Sequence, residues 1–392
     1  MRLSQRVARI SISSTAKVFA EASKLKSQGI DLVDLGAGEP DFPTPQNIKQ
    51  AAIQAIHKNF TRYTPTDGIN ELKEAIVYRH TEDFQSNYTP EEVLVTSGGK
   101  HAIFNLISAL IDPGDEVVIP SPYWVTFREA VSYAGGDCKF VKTTESENFR
   151  LTALQIENAL SEKTRLILLN SPNNPSGAVI SQKELHKIAK LAYKRNIMLL
   201  SDECYCHFVY GGLPQFSMAS LSKTYQENLI IIGSVSKTYS MTGWRVGYCL
   251  ASPILVKAML KIQSHCTSNA NSIAQKAAVE ALLGSQNSVQ TMHIEYSKRR
   301  AFIVQALDEI PGISCNWPDG AFYVYPNVKQ FLGGVNKMTA SHLALQLLHK
   351  AHVAVVPGEA FGTHEHLRLS YANSIHQLKE GVNRLKTFFE TL

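Results

Sequence analysis

Long apolar runs are missing from this sequence: its longest candidates, such as Leu229 to Ile232, have the length of a strand and fall far short of the ~18 residues a membrane helix needs. A soluble protein with no membrane partner is therefore expected. A strong excess of one charge is missing too. Lys and Arg number 39 against 34 Asp and Glu, and the net charge of +5 is too mild to imply a nucleic-acid partner. Cysteine is scarce and unpatterned. Of the six (Cys138, Cys204, Cys206, Cys249, Cys266, Cys315), only Cys204 and Cys206 are close, which gives neither a zinc ladder nor a disulfide framework. A reducing compartment, the cytoplasm, is the default. Repeats and low-complexity segments are also lacking, and a composition 44% hydrophobic and 19% charged excludes disorder and collagen-like character. The 392 residues suggest two or three packed units at roughly 150 residues each.

The first twenty residues carry Arg2, Arg6, Arg9 and Lys17 with no acid before Glu21, a pattern shared by transit peptides and by a plain arm leading into a helix. From Ala16 to Ser27 the residues Val18, Phe19, Ala22 and Leu25 share one face, and Gly29 follows, so a helix is predicted there. Leu32 to Leu35 then leads into the loop of residues 36–45, where three prolines and two glycines forbid regular structure. From about residue 90 to 250, apolar runs at 93–95, 117–119, 166–169, 197–200 and 229–232 alternate with amphipathic stretches. Continuous apolar runs fit strands buried on both faces, and helices between them fit a mostly parallel α/β sheet. Beyond about residue 285 the pattern becomes a smaller α+β unit. It has a helix near Tyr296 to Leu307, a strand at Ala321 to Tyr325, a helix at Ser341 to His349 and a strand at Leu367 to Tyr371. The last helix opens on a Ser374-x-x-Gln377 capping box.

Ligands of an open parallel sheet sit beyond the carboxyl ends of its strands, so the residues after each run matter most. After 93–95 come Thr96-Ser97-Gly98-Gly99-Lys100 and a helix, which serves equally as a strand-to-helix turn or as a phosphate site built from backbone N–H groups and the helix dipole. The G-x-x-x-x-G-K spacing of a P-loop is missing, and Asp41 stands where Gly36-Ala37-Gly38 would need the third glycine of a dinucleotide fingerprint. After 197–200, Asp202 and Glu203 are either a solvated pair or include a buried carboxylate able to hold a proton on a heterocycle, with Tyr205 three residues on. After 229–232 comes Ser234-Val235-Ser236-Lys237. Lys237 either caps a sheet edge or, desolvated and near a cation such as Arg245, has a lowered pKa suited to a Schiff base.

The run from Ser234 to Met241-Thr242-Gly243-Trp244-Arg245, together with Ser171 to Gly177, Ser201-Asp202-Glu203-x-Tyr205 and Gly38-Glu39-Pro40-Asp41-Phe42, closely resembles the class I/II aminotransferases, in their order and from about Ser4 to the C-terminus. The resemblance implies a fold-type I pyridoxal-phosphate transferase, with a mostly parallel seven-stranded sheet in a large domain (residues 46–284), a small α+β domain (285–392) and an arm that joins the small domain (1–45). It implies that Lys237 carries pyridoxal 5'-phosphate and moves the substrate proton, that Asp202 keeps the pyridine nitrogen protonated, and that Asn174 and Tyr205 hold the phenolic oxygen. Ser234, Ser236 and Arg245, with the amides of Gly99 and Lys100, would grip the phosphate, and Trp124 would stack on the ring. Tyr63 matches a tyrosine sent across a homodimer interface to the neighbouring phosphate. Arg368, which by pattern alone could equally face solvent, matches the arginine for the substrate α-carboxylate, a task that suits a planar guanidinium. The backbone of Gly38 would lie over the substrate.

Lys100, Ser13 and Thr15 match positions that read a distal carboxylate in relatives acting on aspartate, which implies L-aspartate as donor and 2-oxoglutarate as acceptor. Prephenate and aromatic amino acids are the alternatives. A β-lyase of the same fold would instead release pyruvate from cysteine conjugates, and a non-catalytic regulator would add a DNA-binding domain, for which a chain starting at the arm leaves no room. Three departures from the family pattern stand out: His101, Ser240 and Cys204, the last placed so near the ring that oxidation sensitivity is expected. His364-Glu365-His366 is expected to be surface, with no metal bound.

Overall fold

The computed structural model of the chain describes residues 3–12, 14–334 and 338–392. Its centre is a seven-stranded sheet of β1 (Val93–Thr96), β2 (Glu116–Ser121), β3 (Asp137–Lys142), β4 (Thr164–Asn170), β5 (Met198–Asp202), β6 (Leu229–Ser234) and β7 (Gly247–Leu250). The spatial order is β1-β7-β6-β5-β4-β2-β3, and only β7 runs against its neighbours. Alternate side chains of each strand feed opposite faces. Ile167, Leu169, Leu199 and Ile231 pack with Leu185 and Ile188 on one side, while Leu166, Leu168, Leu200 and Ile230 pack with Ile103 and Phe127 on the other. Both faces are covered, which is why the runs read as continuous rather than alternating. Each such side chain contributes roughly 1.5–3 kcal/mol by leaving water.

Two strands carried no apolar run. β3 lies at the sheet edge with most side chains exposed, and β7 is only four residues long.

A second layer is built around the antiparallel strands Tyr323–Val324, Leu367–Ser370 and Val356–Pro357, with Leu367–Ser370 in the middle. Val33–Asp34 pairs in parallel with Val353–Ala354, so the residues after the first long helix (Ser14–Ser27) share a core with Tyr296, Phe322, Leu369 and Leu385 from the C-terminal part. Several expected boundaries move. The strand at 321–325 shrinks to Tyr323–Val324 because Ala321 sits in the left-handed region at φ 59°, which breaks the extended backbone. The helix near 296–307 runs from Asn287 to Asp308, and that near 341–349 is Ala340–Gln346 continued by a wider π-type turn, Leu347–Ala351. At the last helix, Ile375–Phe389, only half of the capping box forms: the Ser374 hydroxyl accepts from the Gln377 amide at 3.3 Å.

Candidate active site

The carboxyl ends of β4, β5 and β6 meet the loop of residues 36–38 around a cleft of about 380 Å³, whose lining includes Lys237, Asp202, Tyr205, Asn174, Trp124 and Arg368. Strand β6 ends at Ser234, whose hydroxyl accepts from the Ser236 amide at 3.0 Å and starts the single helical turn Val235–Thr238. That turn aims Lys237 into the cleft, where its Nζ donates to the Gly38 carbonyl. Burial lowers the Lys237 pKa to about 8, against the opposing pull of Cys204 and Glu39 and with smaller help from Arg368 and Arg245. Lys237 is therefore not a sheet-edge cap.

Asp202 closes β5 and is 3% exposed, and burial pushes its carboxyl up to about 6 although Oδ1 accepts from the Cys204 amide at 3.2 Å. Glu203 is buried as well. Its Oε1 accepts from the Ser201 hydroxyl at 2.8 Å and the Met218 amide at 2.9 Å, and burial pushes it up to about 7. The two carboxylates are thus not a solvated pair. They part because successive residues of a strand point to opposite sides: Asp202 lines the cleft, whereas Glu203 lines a small cavity behind it with His80 and Tyr248.

Arg368, in the middle strand Leu367–Ser370, is 3% exposed, so it does not face solvent. Its Nη1 donates to Asn174 Oδ1 at 2.9 Å and its Nη2 to the Gly36 carbonyl at 2.7 Å, while the guanidinium lies 4.5 Å from the Tyr323 ring centroid. Asn174 is itself oriented by Asn170, whose Oδ1 accepts the Asn174 amide at 2.9 Å. Tyr205 shares a 2.7 Å hydrogen bond with the Tyr323 hydroxyl. A Cβ on Gly38 would stand 2.6 Å from that hydroxyl, so the loop comes this close only as glycine.

At the other end, Gly98 (φ 88°) caps the helix Gly99–Leu110, and a Cβ there would collide with Arg245 Nη2. Arg245 Nη1 donates to the Thr242 carbonyl at 2.7 Å, and the Ser234 hydroxyl donates to Ser236 Oγ at 2.8 Å. Lys100 lies with its Nζ 5.0 Å from the ring centroid of Trp124, the residue before the helix Val125–Ala134. Tyr63 is 92% exposed and stands outside the cleft. Ser13 lies outside the described residues. Thr15 falls in the helix Ser14–Ser27 with its side chain likewise outside the description, although Val18 of that helix lines the cleft.

Cys204 lines the cleft as expected, and burial pushes its thiol well above the ordinary range, which lowers its thiolate fraction. One expectation changes. His366 is not surface: it is 6% exposed, stacks on Tyr325 at 4.7 Å and contacts Glu145 Oε2 through Nε2 at 3.3 Å. Among the described residues no group of three or more His, Cys, Asp or Glu is arranged to hold a metal ion. Sequence reasoning assigned no site role to Tyr323, Asn170 or Asp34, all of which line the cleft. The signal for Tyr323 was its place in an apolar run that was read as a strand and nothing more.

The profile of the family "Aminotransferase class I and II" matches residues 30–385. The chain belongs to that family. It is 41% identical over 390 residues to an aspartate aminotransferase of Bacillus subtilis, which covers 100% of this chain and 99% of that protein. It is 42% identical over 392 residues to an aspartate/prephenate aminotransferase of Nitrosomonas europaea, covering 98% and 99%. The crystal structure of the aspartate aminotransferase from Rhizobium meliloti superposes with a TM-score of 0.94 at 39% identity, covering 100% of this chain and 99% of that one. The seven-stranded aminotransferase sheet is common ground, and this chain is an aminotransferase.

Proposed function

We propose that this aminotransferase uses pyridoxal 5'-phosphate to pass the amino group of L-aspartate to 2-oxoglutarate in a ping-pong cycle. The observation that carries the reading is one cleft that holds a lysine of lowered pKa, a buried carboxylate and a buried arginine.

The residues fit the cofactor. Asp202 faces the cleft as a carboxylate whose charge burial disfavours, so a protonated ring nitrogen is the partner that would restore its ionisation. The glycine cradle at 98–99, the two serine hydroxyls and Arg245 offer N–H, O–H and guanidinium donors suited to a phosphate. Lys237 would be the covalent anchor, Asn174 and Tyr205 would hold the phenolic oxygen, and Trp124 would cover the ring. Bound there, pyridoxal phosphate supplies an exchangeable carbonyl and a ring that takes up the electron pair released at the substrate carbon.

The chain's own work is to bind, orient and move a proton. With a pKa of about 8 rather than the ordinary 10.5, a useful fraction of Lys237 is neutral near pH 7 and can take the proton from the substrate Cα and return it. Arg368, its guanidinium lying over the Tyr323 ring, offers a fork of donors to the α-carboxylate. Lys100, with Ser13 and Thr15, would meet the distal carboxylate. Tyr63, so fully exposed here, would reach the phosphate of a second copy, making a homodimer with composite sites. A cytoplasmic location and the division into residues 1–45 with 285–392, and 46–284, belong to the same proposal. The pairing of Val33–Asp34 with Val353–Ala354 supports that division.

The relative named for both aspartate and prephenate supports prephenate as a second amino acceptor. The test is a half-reaction: holoenzyme mixed with L-aspartate alone should convert its bound cofactor to pyridoxamine phosphate, seen in the visible spectrum. An unchanged spectrum would reject aspartate as donor.

A further inference from the structure

Asp34 is a carboxylate on the wall of the cleft, at the end of the short strand Val33–Asp34. Its Oδ1 accepts two backbone N–H groups, from Gly36 at 3.0 Å and from Ala37 at 3.1 Å, and its Oδ2 lies 3.7 Å from Lys26 Nζ on the helix Ser14–Ser27. The second of those bonds has a consequence across the peptide unit. A trans peptide is planar, with its C=O and N–H pointing in opposite directions. The Ala37 N–H and the Gly36 C=O belong to the same unit, so the carboxylate that takes the N–H turns the carbonyl the other way. That carbonyl is the one that receives Arg368 Nη2 at 2.7 Å.

The support under Asp34 is firm. Asn373 Nδ2 donates to the Asp34 carbonyl at 2.9 Å, and the Leu35 amide donates to the Ala354 carbonyl at 3.0 Å. Gly36 has no side chain to fix its peptide planes, and a bare glycine loop would let the 36–37 unit rotate. Arg368 has two anchored nitrogens, one on Asn174 and one on Gly36, while its buried Nε has no hydrogen-bond partner among the described residues. Losing the Gly36 anchor would leave the guanidinium plane with one hydrogen bond, to Asn174, and the flanking rings of Tyr323 and Phe361, which fix its in-plane rotation poorly.

We propose that Asp34 is a positioning residue for substrate recognition: by fixing the 36–37 peptide it sets the plane in which Arg368 meets the α-carboxylate. This rests on the aminotransferase reading above. The role requires an acceptor at Asp34 and not its charge, so asparagine should serve and an apolar residue should not.

The experiment uses holoenzymes of the native chain and of Asp34→Val, which keeps bulk in the strand, and Asp34→Asn. Steady-state kinetics with L-aspartate and 2-oxoglutarate are combined with competitive inhibition by maleate, a dicarboxylate that cannot be transaminated. Asp34→Val should raise KM for both acids and weaken maleate by about tenfold, the scale of one hydrogen bond to a charged group, with kcat within about threefold. Asp34→Asn should restore all three to within about threefold of native. Native KM and maleate affinity in Asp34→Val would overturn the proposal. So would an asparagine variant as impaired as the valine one, or a loss confined to kcat and cofactor retention. If Asp34→Val does not fold, Asp34→Ala in the same assays decides. A native enzyme that does not turn over aspartate would reject the parent reading, an outcome distinct from a normal Asp34→Val.

Discussion

Replacing Lys100 by alanine isolates what separates a dicarboxylic donor from every other amino acid. Lys100 is the second residue of the helix Gly99–Leu110 and lines the same cleft as Arg368. Among the described residues its ammonium makes no ion pair, only the 5.0 Å approach to Trp124. Burial and, to a lesser degree, Arg245 push its pKa down, and a carboxylate docked beside it would reverse that push. A hydrogen bond to a charged group is worth about 1.5–3 kcal/mol. Lys100 is only partly buried, so the lower half of that range applies, and kcat/KM for L-aspartate should fall about ten- to fortyfold. L-Alanine has no distal carboxylate, and its rate should change by less than about twofold. Single-turnover half-reactions of native enzyme and variant with the two donors give the ratio directly. Equal losses on aspartate and alanine would refute the assignment of Lys100 to the distal carboxylate.

Lys237→Ala should abolish turnover and covalent cofactor attachment, read by whether borohydride reduction, which turns a lysine imine into a stable amine, leaves the pyridoxyl group on the chain through denaturing gel filtration. Because the Lys237 pKa is lowered to about 8, the rate at which apoenzyme captures pyridoxal phosphate should rise with pH through about 8 and level off above it. A rate still climbing steeply at pH 10, as for an ordinary lysine, would contradict that shift. Glu203 has a folded-state pKa near 7, above its unfolded value of 4.5, so its contribution is fully favourable at low pH and is lost as pH rises toward 7. Glu203→Gln should accordingly gain stability relative to native between pH 5 and 8, by up to about 3 kcal/mol in urea unfolding, and a constant difference across that range would show the native side chain ionised throughout.

The site was legible where function sits at the ends of buried strands. Asn174, Asp202 and Lys237 each lie within a few residues of the end of a continuous apolar run, and burial of the run dictates that the polar residues after it stand at the sheet's carboxyl edge. Arg368 was harder, because an Arg between two leucines reads as a solvated strand face until a partner 194 residues away is placed beside it. Tyr323 and Asp34 were not legible for the same reason. The hydroxyl of Tyr323 meets Tyr205 across 118 residues of chain, and Asp34 matters through backbone groups that carry no sequence signature. β3 escaped notice because an edge strand with exposed side chains needs no apolar run. Two of the boundaries that moved did so at backbone features, the left-handed Ala321 and the wide turn after Gln346, which periodicity does not encode.

The balance of charge in the cleft argues for the same class of ligand as the motifs. Lys237 and Arg368 are both held by backbone carbonyls, at Gly38 and Gly36, and Arg245 by the carbonyl of Thr242. A carbonyl orients a cation without neutralising it. Among the described residues the cleft wall carries Lys100, Lys237 and Arg368 against two carboxylates, Asp34 and Asp202. Asp34 is already engaged by two amides and Lys26, and Asp202 is shifted by burial toward its neutral form. With Lys237 given to the cofactor and balanced in part by Glu39, Arg368 and Lys100 remain as placed cations, and a ligand bearing one carboxylate would leave part of their field unmatched. Two carboxylates, one near Arg368 and one near Lys100, would match it, which ties the preference for a dicarboxylic acid to the loop geometry that holds the cations in place.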